Sequence, residues 1–261
     1  MKLSFLLSTS MLLICSVVQS PAQIIEIGNS SWTYSQNFNS LSSSNDDPLA
    51  TWTNNSTLPG WYGFGHNAAE KTTIFSSNGT QGVIVGGSAN TINMVQSIGT
   101  GSDRALGMWA TGNSGIQYYL IYLQNISGGT INNLSISYDA LKLENSASNT
   151  PLELFYRVSA TSLTVNATLV MSDTGWTEIS SMDYKPGTGA DSSERSFTFS
   201  NLNLVDDGYM MFRFKLVNSS AVLGIDNLKM DLVPEPQTAV LFGLGMMVWM
   251  LRTQTRKLQN S

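Results

Sequence analysis

Leu134-Ser135-Ile136-Ser137-Tyr138-Asp139-Ala140 alternates apolar and polar side chains without a break. On an extended chain successive side chains point to opposite faces. Leu134, Ile136, Tyr138 and Ala140 then line one face and Ser135, Ser137 and Asp139 the other. On a helix the same residues would scatter round the axis, so the segment reads as a strand with one buried face.

Working outward, runs that alternate or are apolar throughout recur at 32–38, 72–75, 82–85, 105–110, 118–123, 152–158, 176–179, 197–202, 209–217 and 223–232. Between them stand Asn54-Asn55, Asn78-Gly79, Gly86-Gly87, Gly99-Thr100-Gly101, Ser127-Gly128-Gly129, Lys185-Pro186-Gly187 and Asp206-Asp207-Gly208, which is turn chemistry. Strands punctuated by turns, with no amphipathic helix between them, predict an all-β fold: a two-sheet antiparallel sandwich of the jelly-roll kind. In the last run Ile225 falls on one parity and Leu228 with Met230 on the other. Either both faces of that strand are buried, or a bulge falls near Asp226-Asn227.

Composition narrows the function. Between Gln23 and Val233 there are nine basic and seventeen acidic side chains, a balance of minus eight. Such a surface lacks the basic footprint that phosphate backbones require, which sets nucleic acid aside. No repeat and no Pro-rich or charged linker divides residues 23–232, so they read as one β-sandwich domain.

The two ends read differently. Residues 1–22 carry Lys2, an apolar run and the exit Ser20-Pro21-Ala22, the three parts of a signal peptide with signal peptidase cutting before Gln23. Cys15 lies inside that run behind Ile14, which does not suit lipidation. Removal of the signal leaves no cysteine, hence no disulfide and no thiolate metal site.

Residues 233–261 hold Pro234, Glu235 and Pro236, an apolar stretch from Thr238 to Leu251, then Arg252, Arg256 and Lys257. The prolines stop the domain. As a helix the stretch would rise about 20 Å against a hydrocarbon thickness of about 30 Å, a short membrane anchor. The basic cluster would stay in the cytoplasm and leave the domain outside.

Pro234-Glu235-Pro236, the helix with Gly243-Leu244-Gly245 and the basic cluster together resemble the PEP-CTERM sorting signal of Gram-negative bacteria that make exopolysaccharide. The resemblance covers 233–257 and implies processing by exosortase, a membrane protease-transpeptidase, for the cell surface or matrix. Arg252 and Arg256 are separated by Thr253-Gln254-Thr255, where the family usually has adjacent arginines. Phe38-Asn39-Ser40-Leu41 with Pro59-Gly60-Trp61, Ser102 to Gly107, and Gly224-Ile225-Asp226-Asn227-Leu228 are similar to the opening, an internal strand and the closing strand of secreted lectin-like jelly-roll domains. That second resemblance implies carbohydrate binding or a structural calcium ion, with Asp226 and the Asn39 oxygen as ligands.

Catalytic patterns are scarce. His66 is the sole histidine and sits in Gly63-Phe64-Gly65-His66-Asn67 without a nucleophile elbow. Glu144 with Glu153, and Asp206 with Asp207, are the carboxylate pairs a glycoside hydrolase could draw on, and Asp206-Asp207-Gly208 reads first as a turn. Neither Gly86-Gly87 nor Gly99-Thr100-Gly101 has the lysine of a phosphate loop. Trp52, Trp61, Tyr62 and Trp109 include residues expected in loops, where they would stack on sugars; the competing reading puts them in the core. The expectation is a noncatalytic exported envelope or matrix protein, adhesive or carbohydrate-binding, with exopolysaccharide as the partner considered. The alternative is a secreted hydrolase acting on polysaccharide.

Overall fold

The computed structural model describes residues 23–29, 31–43, 50–65, 69–78, 94–110, 115–142, 150–186, 192–217 and 222–233. The expected signal peptide, the sorting tail from Pro234 onward, the strand at 82–85, His66 and Glu144 lie outside them. Among the described residues no helix is long and apolar enough to cross a membrane.

The described chain forms a two-sheet β-sandwich. In chain order its strands are β1 Ile25–Ile27, β2 Thr33–Gln36, β3 Ala50–Thr51, β4 Trp61–Phe64, β5 Thr73–Asn78, β6 Met94–Thr100 and β7 Asp103–Trp109. They continue with β8 Ile116–Asn125, β9 Leu134–Lys142, β10 Leu152–Ser159, β11 Thr177–Glu178, β12 Ser192–Phe199, β13 Tyr209–Val217 and β14 Val222–Leu232. One short helix, α1 Ala167–Met171, and a 3-10 turn at Ser180–Met182 are the helical elements among the described residues. The first sheet runs β1-β8-β13-β10-β11 with β4 also on β8, and the second β12-β9-β14-β7-β6-β5-β3 with β2 also on β14.

The deciding strand behaves as its pattern requires. In β9, Leu134, Ile136, Tyr138 and Ala140 are buried while Ser135, Ser137 and Asp139 are partly exposed. Its inner side chains meet those of the facing sheet: Tyr138 lies edge-on to Phe214 at 5.1 Å, and its hydroxyl donates to Met182 O at 2.6 Å. Each such buried apolar side chain contributes roughly 1.5–3 kcal/mol. With no cysteine in the described domain, this core carries its stability.

The last strand has a bulge. The β14–β9 register shifts between Asp226 and Lys229, and Asn227 takes a positive φ of 48°. The extra residue lets Ile225, Leu228 and Met230 all face inward, although their parity differs. The Asp206-Asp207-Gly208 turn is also present, with Gly208 N donating to Val205 O at 2.9 Å.

Two pairings depart from the antiparallel expectation, since β1 runs parallel to β8 and β5 parallel to β6. β8 is ten residues long and β4, with four, covers only part of its edge; β1 pairs with the remainder and takes up backbone groups that would otherwise be unpaired. β14 likewise shares one edge between β7 and β2. Trp61 and Tyr62, weighed between loop and core, stand in strand β4, where Trp61 faces the core and Tyr62 the outside of the sheet.

Candidate functional site

The four aromatics considered for sugar binding do not form one platform. Trp52 and Trp61 are inside the sandwich, 2% and 0% exposed, with Trp52 Nε1 donating to Asn54 Oδ1 at 2.7 Å and Trp61 Nε1 to Tyr34 OH at 2.8 Å. Their ring faces and polar edges are committed to the core, because a buried indole needs a partner for its N–H. Tyr62 is on the outer face of the first sheet. Trp109, half-buried, packs with Ile98 and Val222 in a separate cluster.

The outer face of the first sheet is itself aromatic. Tyr62 and Phe64 from β4, Tyr118 and Tyr122 from β8, and Phe155 from β10 lie there with Leu120 and Met211. In sequence, β8 and β13 are apolar almost throughout rather than alternating, the mark of strands covered on both sides. The cover is the excursion between β10 and β11, from which Leu163, Val165, Leu169, Val170 and Trp176 pack down on the sheet.

Arg213 latches this strap. It stands on β13 with its side chain fully buried, its guanidinium 4.5 Å from the Trp176 ring and 4.6 Å from Phe155. Nη1 donates to Val170 O at 2.8 Å and Ser172 O at 3.0 Å, and Nη2 to Asp173 Oδ1 at 2.8 Å. A planar fork suits this site, since one group reaches two carbonyls and a carboxylate while lying between aromatic faces. The lone arginine in an apolar strand was the legible signal for it.

The second sheet presents the opposite surface. Thr198, Ser135, Asp231 and Thr33 lie in one cross-strand row, and Ser196, Ser137, Lys229 and Ser35 in the next. Short hydroxyls and charges thus face solvent across β12, β9, β14 and β2, with Thr33 Oγ1 donating to Asp231 Oδ1 at 2.6 Å and Lys229 paired to Asp231 at 2.9 Å. It is polar.

Asn39 lies against the start of β7, and Asp226 stands within β14, an interior strand of that sheet. Asn39 Oδ1 accepts from Arg104 N at 2.7 Å, and Asp226 Oδ1 from Asn227 N at 2.7 Å. Burial, with the carboxylates of Asp103 and Asp139 nearby, pushes the Asp226 carboxyl up to about 6. Among the described residues, no three carboxylate, imidazole or thiol side chains gather as a metal shell. As placed, Asn39 and Asp226 each serve a backbone N–H.

A second acidic group lies by β10. Asp183 accepts from Leu154 N at 3.2 Å, and burial together with Glu178 and Glu153 pushes its carboxyl up to about 7. Glu153 pairs with Lys215 at 3.7 Å. Neither Glu153 with Glu144 nor Asp206 with Asp207 forms a described cleft: Glu144 lies outside the described residues, and Asp206 receives Gly128 N in a turn.

These two raised carboxyls set a pH dependence. Asp183 and Asp226 both hold protons more tightly folded than unfolded, so between about pH 4 and pH 7 the folded chain carries the extra protons. Stability should therefore fall as pH rises through that window. Urea midpoints at the two ends should show the decline in the wild type and a flatter profile in the D183N/D226N variant. An equally steep decline in the variant would place its source elsewhere.

No protein-family model matches the chain, and no curated protein matches it. Solved structures similar to it are of low identity. The K2 cleaved adhesin domain of Lys-gingipain is 10% identical with a TM-score of 0.37, covering 77% of this chain and 98% of that one. The CBM22-1 xylan-binding domain of Paenibacillus barcinonensis Xyn10C is 11% identical with a TM-score of 0.29, covering 51% and 75%. Bacteriophage CBA120 tailspike protein 4 is 7% identical with a TM-score of 0.29 over 50% of this chain, which spans only 16% of the tailspike domain. At these scores no ligand and no activity is carried over.

Proposed function

We propose that the chain is a noncatalytic exported protein of the cell envelope or extracellular matrix, adhesive or carbohydrate-binding through the polar outer face of the second sheet. The supporting observation is the contrast between faces. The aromatic face is covered by the chain's own strap, while the rows Thr198-Ser135-Asp231-Thr33 and Ser196-Ser137-Lys229-Ser35 are exposed or partly exposed among the described residues, offering hydrogen-bond donors and acceptors to a polyhydroxylated ligand. Polysaccharide pull-down and a glycan array with the purified protein test this. Retention that is lost when Ser137 and Lys229 are replaced by bulky apolar residues supports the face; undiminished retention moves the site.

One observation favours a second reading as a polysaccharide hydrolase. Asp183 combines a carboxyl pushed up to about 7 with Glu178 and Glu153 close by, as a general acid beside a carboxylate would be. Release of reducing ends by the wild type but not by D183N would establish it. Asp183 also pins Leu154 N, and that structural task alone accounts for its position.

Export and sorting form the second half of the proposal. β14 ends at Leu232, and the 28 residues from Pro234 onward follow directly. Signal peptidase would remove residues 1–22, the stretch from Thr238 to Leu251 would halt in the membrane, and Arg252, Arg256 and Lys257 would keep the end inside. Pro234-Glu235-Pro236 would then lie extended at the outer surface for exosortase. Replacing Glu235 should leave an uncut membrane-bound chain. Mass spectrometry of surface-extracted protein should find no peptide from 252–261; recovering it intact refutes the cut.

A structural Ca²⁺ at Asp226 and Asn39 would draw on the second Asp226 carboxylate oxygen and the remaining lone pair of Asn39 Oδ1, since each group already serves one backbone N–H. Melting temperature measured with calcium and with chelator tests it, and equal values retire the site.

A further inference from the structure

Lys71, just before β5, is 2% exposed. Among the described residues it forms no ion pair with a carboxylate. Its Nζ instead donates to Met94 O at 2.7 Å and to the side-chain oxygen of Gln117, with the Tyr119 ring 5.5 Å away. Gln117 is 1% exposed on β8, in the opposite sheet. Gly63 makes room for the lysine stem: a Cβ there would stand 2.8 Å from Lys71 Cδ. Burial without a counter-charge pushes the amine down to about 7, so a large share of it is neutral and nucleophilic at ordinary pH.

We propose that the Lys71 amine and the Gln117 carboxamide join in an intramolecular isopeptide bond that ties the entrance of β5 to β8. Nζ touches Oε1, one bond from the carbon it attacks. A bond forms between Nζ and Cδ, the Cδ–Nε2 bond breaks, and one proton passes from Nζ to the departing nitrogen, which leaves as ammonia. No electron is transferred and no co-reactant is consumed. Amide exchange is slow in solution, but two groups fixed in contact react as though at roughly 10⁵–10⁸ M. In a domain without cysteine, the link would close a loop between partners 46 positions apart in the chain.

Tandem mass spectrometry of the denatured full-length protein decides the matter. Total mass alone is ambiguous, because an N-terminal Gln23 and the Asn78-Gly79 pair can each also lose ammonia. Chymotryptic peptides spanning 65–75 and 110–118 should be recovered joined through Lys71 and Gln117. In freshly purified protein the linked pair should accumulate about tenfold faster at pH 8 than at pH 6, the ratio of neutral amine expected for a group near 7. K71R, which keeps a cation and removes the nucleophile, should give only separate peptides. Lys71 recovered unlinked from aged wild-type protein, with an ε-amine that labels freely after denaturation, overturns the proposal whatever the variant does.

Discussion

Replacing Arg213 with alanine should cost about 3–5 kcal/mol and release the strap between β10 and β11. The substitution removes the donors to Val170 O and Ser172 O, leaves a hollow between Trp176 and Phe155, and unseats the end of α1. Asp173 gives the contrast. Its side chain is 70% exposed and asparagine keeps an oxygen for Nη2, so D173N should cost less than R213A. Urea unfolding measures both. Limited proteolysis should cut R213A within 160–176 well before the wild type, and resistance equal to the wild type would show that the apolar contacts hold the strap without the latch.

The second large effect is expected at Trp61. W61A should lose about 3–5 kcal/mol, because the indole is fully buried, lies edge-on to Phe38 at 5.1 Å and satisfies the Tyr34 hydroxyl. W61F should cost less, keeping most of the packing and losing the hydrogen bond. If Trp61 stacked on sugar, the same substitutions would abolish retention on polysaccharide while leaving stability nearly unchanged. The structure predicts the reverse: a lower unfolding midpoint, with retention per folded molecule preserved.

Much of the architecture was legible. The alternation in β9 assigns its inner and outer faces residue by residue, while the change of parity after Ile225 allowed either two buried faces or a bulge, and the bulge at Asn227 is the one that forms. Less of the site could be read. Trp61 and Tyr62 lie between Pro59-Gly60 and Gly63, a setting of turn formers, yet β8 recruits them into a strand; pairing supplied at long range outweighs weak local preference. α1 has five residues, too few to show a helical period. Lys71 in sequence is an ordinary surface lysine.

Sequence alone determined that this domain is a β-sandwich with a cysteine-free core, because period-two alternation and turn residues are local properties of the chain. Tertiary structure alone decided which sheet face stays open. That choice depends on a strap folding back over β8 and β13 and on Arg213 meeting Val170 and Asp173 some forty residues away, and Lys71 meets Gln117 across the sandwich in the same long-range way. Such meetings are set by the pairing of distant strands, which a local hydrophobic pattern permits in many arrangements and only the packed core makes unique.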